Sequence, residues 1–233
     1  MKKQLILVFA VFFLISGPAS IILPGKTLES TQPRYLDAAQ FETLPFAPPP
    51  APDSDDQKAD IAAMVYWKEK RTDADCARAE KTFYVKFDFL WGEKSPFPQP
   101  LPVEVRDFFN RLDSEIGTVA RIMKNRFQRS RPDVAPPCPE SSSTQRSGGY
   151  SYPSTHAAIS RAFAYILADL VPERKAEFIA RADAIAQDRL IIGVHYPTDI
   201  AAGKELGDLF HGKLLQSEAY REDLVRMRAL RVK

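Results

Sequence analysis

The stretch after Pro102 most constrains what this chain can become. Val105, Phe108, Phe109, Leu112, Ile116, Val119, Ala120 and Met123 recur three and four residues apart. On an α-helix they share one face, whereas on a strand they would scatter to both. Pro102 suits the start of such a helix, where its missing N–H costs nothing, and the pattern stops near Asn125 to Phe127. Comparable helical patterns cover about Thr155 to Leu170, Glu173 to Ile192, Pro197 to Leu215 and Ser217 to Leu230, the last so charged that a solvated helix is expected. Ser54 followed by Gln57 resembles a capping box and predicts a helix through Ile61, Met64, Val65, Trp67 and Lys68, with another over about Asp73 to Lys81. Between Phe83 and Trp91, Lys86 and Asp88 alternate with apolar residues in strand fashion. Core packing is the plain reading of those aromatics, and a place at the mouth of a pocket the functional one. No internal repeat is present. The expectation is an all-α, single-domain helical bundle.

Ahead of the body, Lys2 and Lys3 precede eleven apolar residues, Leu5 to Ile15, and then Ser16, Gly17, Pro18, Ala19 and Ser20. Eleven falls short of the roughly 20 residues a spanning helix needs, so residues 1–20 read as a secretory signal peptide and the mature protein as periplasmic or secreted, without membrane insertion. Residues 21–53, with Pro45, Pro48, Pro49, Pro50 and Pro52, read as an extended arm laid over the body, and residues 54–233 as the body itself. Without Lys2 and Lys3 the 32 basic residues become 30, against 30 acidic, a balance that points to no nucleic acid partner. Export would expose Cys76 and Cys138 to an oxidising compartment, where a single disulfide is expected; two unpaired thiols are the alternative.

Three short segments place cations or histidines beside chain reversals. Lys124 is followed six residues later by Arg131-Pro132, and because Pro132 forces Arg131 into an extended conformation the helix must end before it. Tyr152-Pro153-Ser154-Thr155-His156 leads into an apolar helix that Ser154 or Thr155 can cap, leaving first-turn amides free for an anion. Arg189, five residues, His195, three residues and Asp199 straddle a short connection between Gly193 and Pro197. There the Asp199 carboxylate can fix the His195 tautomer and leave the other ring nitrogen free to attack. Singly these segments are a basic helix end, an ordinary cap and a packing histidine. Together they describe an anion cradle with two histidines and an orienting carboxylate. The remaining histidine, His211, is expected to be structural. A long loop from Pro132 to Pro153 joins the first two segments.

In order, the segments resemble the signature of the superfamily uniting type-2 phosphatidic acid phosphatases, bacterial class A non-specific acid phosphatases and vanadium haloperoxidases: Lys-x6-Arg-Pro, Pro-Ser-Gly-His, Ser-Arg-x5-His-x3-Asp. The proline-rich arm looks like that of class A acid phosphatases. Departures are Thr155 for the usual glycine, Asp188 for serine, and Tyr150 and Ala157 within the narrower class A pattern. Asp188 would weaken phosphate binding only if it faced the pocket. The resemblance implies the helical bundle of the acid phosphatase and haloperoxidase type, acting on small phosphate esters without metal or cofactor, and admits a homodimer. It implies Lys124, Arg131, Arg189, Ser154 and Thr155 as phosphate ligands, His195 as nucleophile oriented by Asp199, and His156 as general acid. Vanadate fits the same cradle, so vanadate sensitivity is implied, and a haloperoxidase is the first alternative. A lipid phosphatase is the second, disfavoured because no stretch of the body is apolar for long enough to span a bilayer, and a non-catalytic phosphate-binding envelope protein is a rival from another class.

Overall fold

The computed structural model describes residues 35–133, 138 and 149–232. The signal-peptide reading, the first part of the arm and the proline- and serine-rich run of residues 134–148 lie outside them, apart from Cys138. The described residues form eight α-helices: α1 (Asp55–Lys70), α2 (Asp73–Glu80), α3 (Phe87–Trp91), α4 (Val103–Phe127), α5 (Thr155–Leu170), α6 (Lys175–Ile192), α7 (Pro197–Leu214) and α8 (Glu218–Ala229), with 3₁₀ turns at Ala38–Phe41, Gly92–Lys94 and Pro172–Arg174. No strand occurs among the described residues, and none of their helices is long and apolar enough to cross a membrane.

Helix α5 is the centre of the bundle because its sequence is apolar on almost every side. Ala157, Ala158, Ile159, Ala162, Phe163, Ala164, Ile166, Leu167 and Leu170 are all buried. Helices α6 and α7 pack along it, α4 crosses it, and α8 touches its far end. The close approach of α7 depends on two glycines one turn apart. A Cβ on Gly203 would lie 2.4 Å from the Ser154 carbonyl oxygen, and one on Gly207 would lie 2.7 Å from that of Ala158. Helix α4 buries every residue of the face that its spacing predicts, from Val105 to Met123, and Phe109 stacks on Phe87 at 3.7 Å and meets Phe163 edge-on. Within residues 35–53, a 3₁₀ turn and the proline-rich run that follows it pack against this core. Phe41 and Phe46 are buried, Glu115 accepts from the amides of Tyr35 and Leu36, and Tyr152 donates its hydroxyl to Ala47 O.

Three expectations need correction. Residues 83–91 are not a strand: Phe87–Trp91 form a short helix whose Phe87, Leu90 and Trp91 enter the core, while Tyr84 and Phe89 stay exposed. Helix α8 is not wholly solvated, because Tyr220, Leu224 and Met227 dock one face on the core and Tyr35 donates to Asp223. Helix α1 turns inward a face that hydropathy does not reveal. Its buried residues are Gln57, Asp60 and Met64, whereas Val65 is exposed. Ser54 caps the helix through Gln57 N, but the Gln57 side chain accepts from Arg129 instead of completing a capping box.

Cys76 and Cys138 are disulfide-bonded, as expected. The bridge holds Cys138 where its amide donates to Ile192 O at the end of α6. Arg71 donates to the carbonyl oxygens of Ile191 and Ile192. Helix ends leave such carbonyls without helical partners, and here they are secured three residues before His195.

Candidate active site

The first segment behaves as its spacing requires. Gln128 takes a left-handed conformation at φ 52° and ends α4, so residues 129–131 leave the helix before Pro132. Lys124, on the last turn, donates its Nζ to the carbonyl oxygens of Tyr150 and Ser151 at 2.8 and 3.0 Å. Its ammonium is pushed down to about 7 by burial and by the neighbouring Arg131 charge, against the pull of Asp199. Arg131 donates to Val194 O at 2.8 Å and lies 3.3 Å from His195 Nε2.

Ser154 is the N-cap of α5, its Oγ accepting from Ala157 N, and its own amide donates to Asp199 O at 2.9 Å. That bond ties the second segment to the third, and it takes the Ser154 amide away from an incoming anion. Among the described residues nothing accepts from the amides of Thr155 and His156, the first two of the helix. These are the donors that the helix N-terminus offers to a phosphate.

Gly193, at φ 94°, ends α6 and Pro197 opens α7, so His195 stands in the connection as the sequence predicts. The two histidines take opposite tautomers. An arginine can only donate, so Arg131 against His195 Nε2 requires that nitrogen to be unprotonated, and the proton sits on Nδ1, 3.4 Å from Asp199 Oδ2. At His156 the partner is a carbonyl: Nε2 donates to Phe83 O at 2.8 Å. Arg189 Nη1, 3.4 Å from the same nitrogen, therefore faces another donor, and that contact is not a hydrogen bond. Burial, chiefly, pushes both imidazoles down, His195 to about 3 and His156 well below its ordinary value, with Arg131 and Arg189 adding repulsion. Both rings are neutral at neutral pH. Asp199 is held below the usual carboxylate range: burial raises it, but the His195 hydrogen bond and charge, the Arg129 cation and the Tyr196 amide outweigh that.

Arg189 is buried, and its Nη2 donates to Ala79 O and Thr82 Oγ1 at 2.8 and 2.7 Å. Its buried Nε has no partner among the described residues. A guanidinium N–H left unsatisfied in the interior costs free energy that an anion would recover. Asp188 does not aim at the cradle; it accepts from Thr82 Oγ1 and pairs with Arg78 at 3.7 Å, so this departure stands behind Arg189. His211 bonds Asp169 at 2.8 Å, away from the site.

Sequence reasoning missed Arg129, Asp60 and Thr82. Arg129 Nη1 bonds Asp199 Oδ1 and Thr198 Oγ1 at 2.7 and 2.8 Å, and its Nη2 bonds Gln57 Oε1 and Asp60 Oδ2 at 2.6 and 2.7 Å. A signal existed in the polar residues Gln57 and Asp60, which fall at helical spacing with Met64.

The PAP2 superfamily model matches residues 115–221, an interval holding all three segments. Residues 115–221 are a PAP2 superfamily domain. The chain is 27% identical to a non-specific acid phosphatase of Salmonella typhimurium over 236 residues, covering 94% of this chain and 90% of that protein. It is 35% identical to a lipid A 1-phosphatase of Rhizobium etli over 97 residues, 40% of this chain and 42% of that protein. In fold it is similar to the crystal structure of a transmembrane PAP2 type phosphatidylglycerolphosphate phosphatase from Bacillus subtilis, with a TM-score of 0.51 and 17% identity over 77% of this chain and 90% of that one. The resemblance drawn from the three segments holds, and within the superfamily the similarity along most of the chain is to class A acid phosphatases.

Proposed function

We propose that this PAP2 phosphatase is an exported acid phosphatase that hydrolyses small phosphate monoesters, without metal, through a phosphohistidine on His195. One observation carries the reading. His195 presents an unprotonated Nε2 beside Arg131 while its Nδ1 is turned to Asp199, the arrangement a nitrogen nucleophile needs. Phosphoryl transfer asks a protein mainly for alignment and charge stabilisation. Lys124, Arg131 and Arg189, with the amides of Thr155 and His156, supply both. Nε2 attacks phosphorus as the ester P–O bond breaks, and the imidazolium that forms is stabilised by Asp199. His156 gives a proton to the departing alkoxide; with Nε2 held by Phe83 O, Nδ1 is the nitrogen that gains and releases it. Burial and the Arg189 charge hold His156 neutral, and a bound phosphate dianion offsets that repulsion, so substrate itself favours the acid form. Water oxygen then attacks phosphorus as the P–N bond breaks, passing a proton to His156, and phosphate leaves with His195 restored.

The disulfide is compatible with an oxidising compartment, as the reading of residues 1–20 requires. The test is rapid acid-free quenching with a labelled phosphomonoester. An alkali-stable, acid-labile phosphoenzyme that maps to His195 and is absent from His195→Ala is expected, with turnover insensitive to chelator. A His195→Ala variant turning over at the wild-type rate refutes the reading, and loss of activity on chelation refutes its metal-free part.

A further inference from the structure

We propose that Arg129, backed by Asp60 of α1, is a positioning residue that aims the Asp199 carboxylate at the His195 nucleophile. The inference rests on the phosphohistidine reading above and adds to it a part of the chain that the family match does not cover.

Arg129 is unlike the three cradle cations. Both of its terminal nitrogens are already taken by Asp199, Thr198, Gln57 and Asp60. Its face lies over the Tyr196 ring at 4.2 Å, and its side chain is only 8% exposed. A guanidinium with both terminal nitrogens and one face engaged keeps at most its Nε–H for a phosphate, too little for the forked grip of a cradle cation. What it does hold is Asp199 Oδ1, at 2.7 Å, leaving Oδ2 to receive Tyr196 N at 2.9 Å and His195 Nδ1. The carboxylate is thereby fixed in rotation, and the imidazole with it.

Asp60 fixes Arg129 in turn. Its Oδ2 accepts from Arg129 and from the Thr198 hydroxyl, and its Oδ1 from Thr198 N at 3.1 Å. One α1 carboxylate therefore binds both the arginine and the residue before Asp199. The backbone adds a second reason. Arg129 and Arg131 follow the left-handed Gln128 two residues apart, and both side chains reach the His195 connection, Arg129 at Thr198 and Asp199 and Arg131 at Val194 and His195. Ser151 N and Oγ pin this short run through the carbonyl oxygens of Arg129 and Ser130. The two arginines then hold the imidazole from opposite edges, Arg131 at Nε2 and Arg129 through Asp199 at Nδ1. Asp60 and Gln57 lie outside residues 115–221, so the orienting chain His195–Asp199–Arg129–Asp60 runs out of the superfamily match into α1.

The experiment uses the full chain and p-nitrophenyl phosphate, with inorganic phosphate as inhibitor, on Arg129→Met, Asp60→Asn and His195→Ala, each checked for folding by far-UV circular dichroism. A misaligned nucleophile lowers kcat by about 10- to 100-fold, Arg129→Met more than Asp60→Asn, and leaves KM and phosphate inhibition within about twofold. Millimolar guanidinium restores part of kcat to Arg129→Met, and sodium chloride at equal ionic strength does not. Should Arg129→Met fail to fold, Asp60→Asn decides alone. Wild-type kcat in folded Asp60→Asn overturns the proposal, and so does a rise in KM and in the phosphate inhibition constant at unchanged kcat, which would make Arg129 a phosphate ligand. His195→Ala separates the two layers. If it stays active the phosphohistidine reading falls and the positioning role with it. If it is inactive while the Arg129 and Asp60 variants are normal, only the positioning role falls.

Discussion

Replacing Gly203 by alanine tests whether the contact between α5 and α7 sets the active site as well as the fold. The added Cβ would stand 2.4 Å from Ser154 O and 2.8 Å from Ala157 Cβ. The first is backbone and the second is the stub of a buried side chain, so neither can swing away and the helices must part. Overpacking of this kind costs about 1–3 kcal/mol. With the nearest atom a backbone oxygen the upper end applies, less about 1 kcal/mol returned by the better helix propensity of alanine. The net is a loss of roughly 2 kcal/mol, or a Tm about 4–8 °C lower for a chain of this size. Gly117→Ala in α4 is the control: nothing lies within 4 Å of its added Cβ, so propensity alone should raise Tm by a few degrees. Activity carries the sharper consequence. Asp199 lies one turn before Gly203 on α7, and its carbonyl accepts from Ser154 N, so parting the helices moves the carboxylate away from the anion-binding end of α5. A displacement near 1 Å is enough for about a 100-fold loss of kcat. Thermal denaturation followed by circular dichroism and steady-state hydrolysis, on both variants, measure the two effects. Gly203→Ala at wild-type Tm and wild-type kcat would refute the reasoning.

The pH dependence follows from the directions of the shifts. With His195 pushed down to about 3 the nucleophile stays neutral through the acid range, while His156 needs its proton and Lys124 loses its own as pH rises through about 7. So kcat/KM should be highest on the acid side and already fall as pH rises toward neutrality, because free His156 loses its proton below its ordinary range, and Lys124→Arg, which does not titrate there, should remove the part of the fall near pH 7; a rate still climbing above neutrality contradicts both assignments. Inorganic phosphate at 100 times its Kd should stabilise the protein by about 2.7 kcal/mol. Arg189→Lys, which drops the unpartnered Nε donor, should shrink the thermal shift, and an unchanged shift would remove Arg189 from the cradle. Reducing the Cys76–Cys138 bridge, whose ends stand 62 positions apart in sequence, should cost about 4 kcal/mol by chain entropy. A Tm unaffected by reductant would show that the unfolded chain is not what the bridge constrains.

What could be read in advance divides along physical lines. The α4 face was legible because its apolar residues bury against an apolar core, so burial and hydropathy agree. The His195 connection was legible because Gly193 and Pro197 punctuate the backbone whatever surrounds them. Helix α1 was misread for the opposite reason. Its inward face is chosen by the Arg129 guanidinium, a partner from elsewhere in the chain, and no periodicity of hydropathy announces a polar face turned inward. Residues 83–91 alternate like a strand, yet no second strand among the described residues offers a ladder, and a short helix satisfies the backbone locally. Ser154 was assigned as a ligand by its motif. Only the fold reveals that Asp199 O has already taken its amide, and that the free donors are Thr155 and His156.

The site draws on helices 138 residues apart in sequence at their widest, where Thr198 N meets Asp60. Lys124, His156 and Arg189 come from α4, α5 and α6, and His195 from the connection between α6 and α7, all between those limits. No fragment short of the packed α1 to α7 assembles the cradle and its orienting carboxylate together. Catalysis is therefore a late signal in the life of the chain. A molecule whose α7 has not yet closed against α5 is silent toward phosphate esters, and the recovery of turnover during refolding times the arrival of that helix.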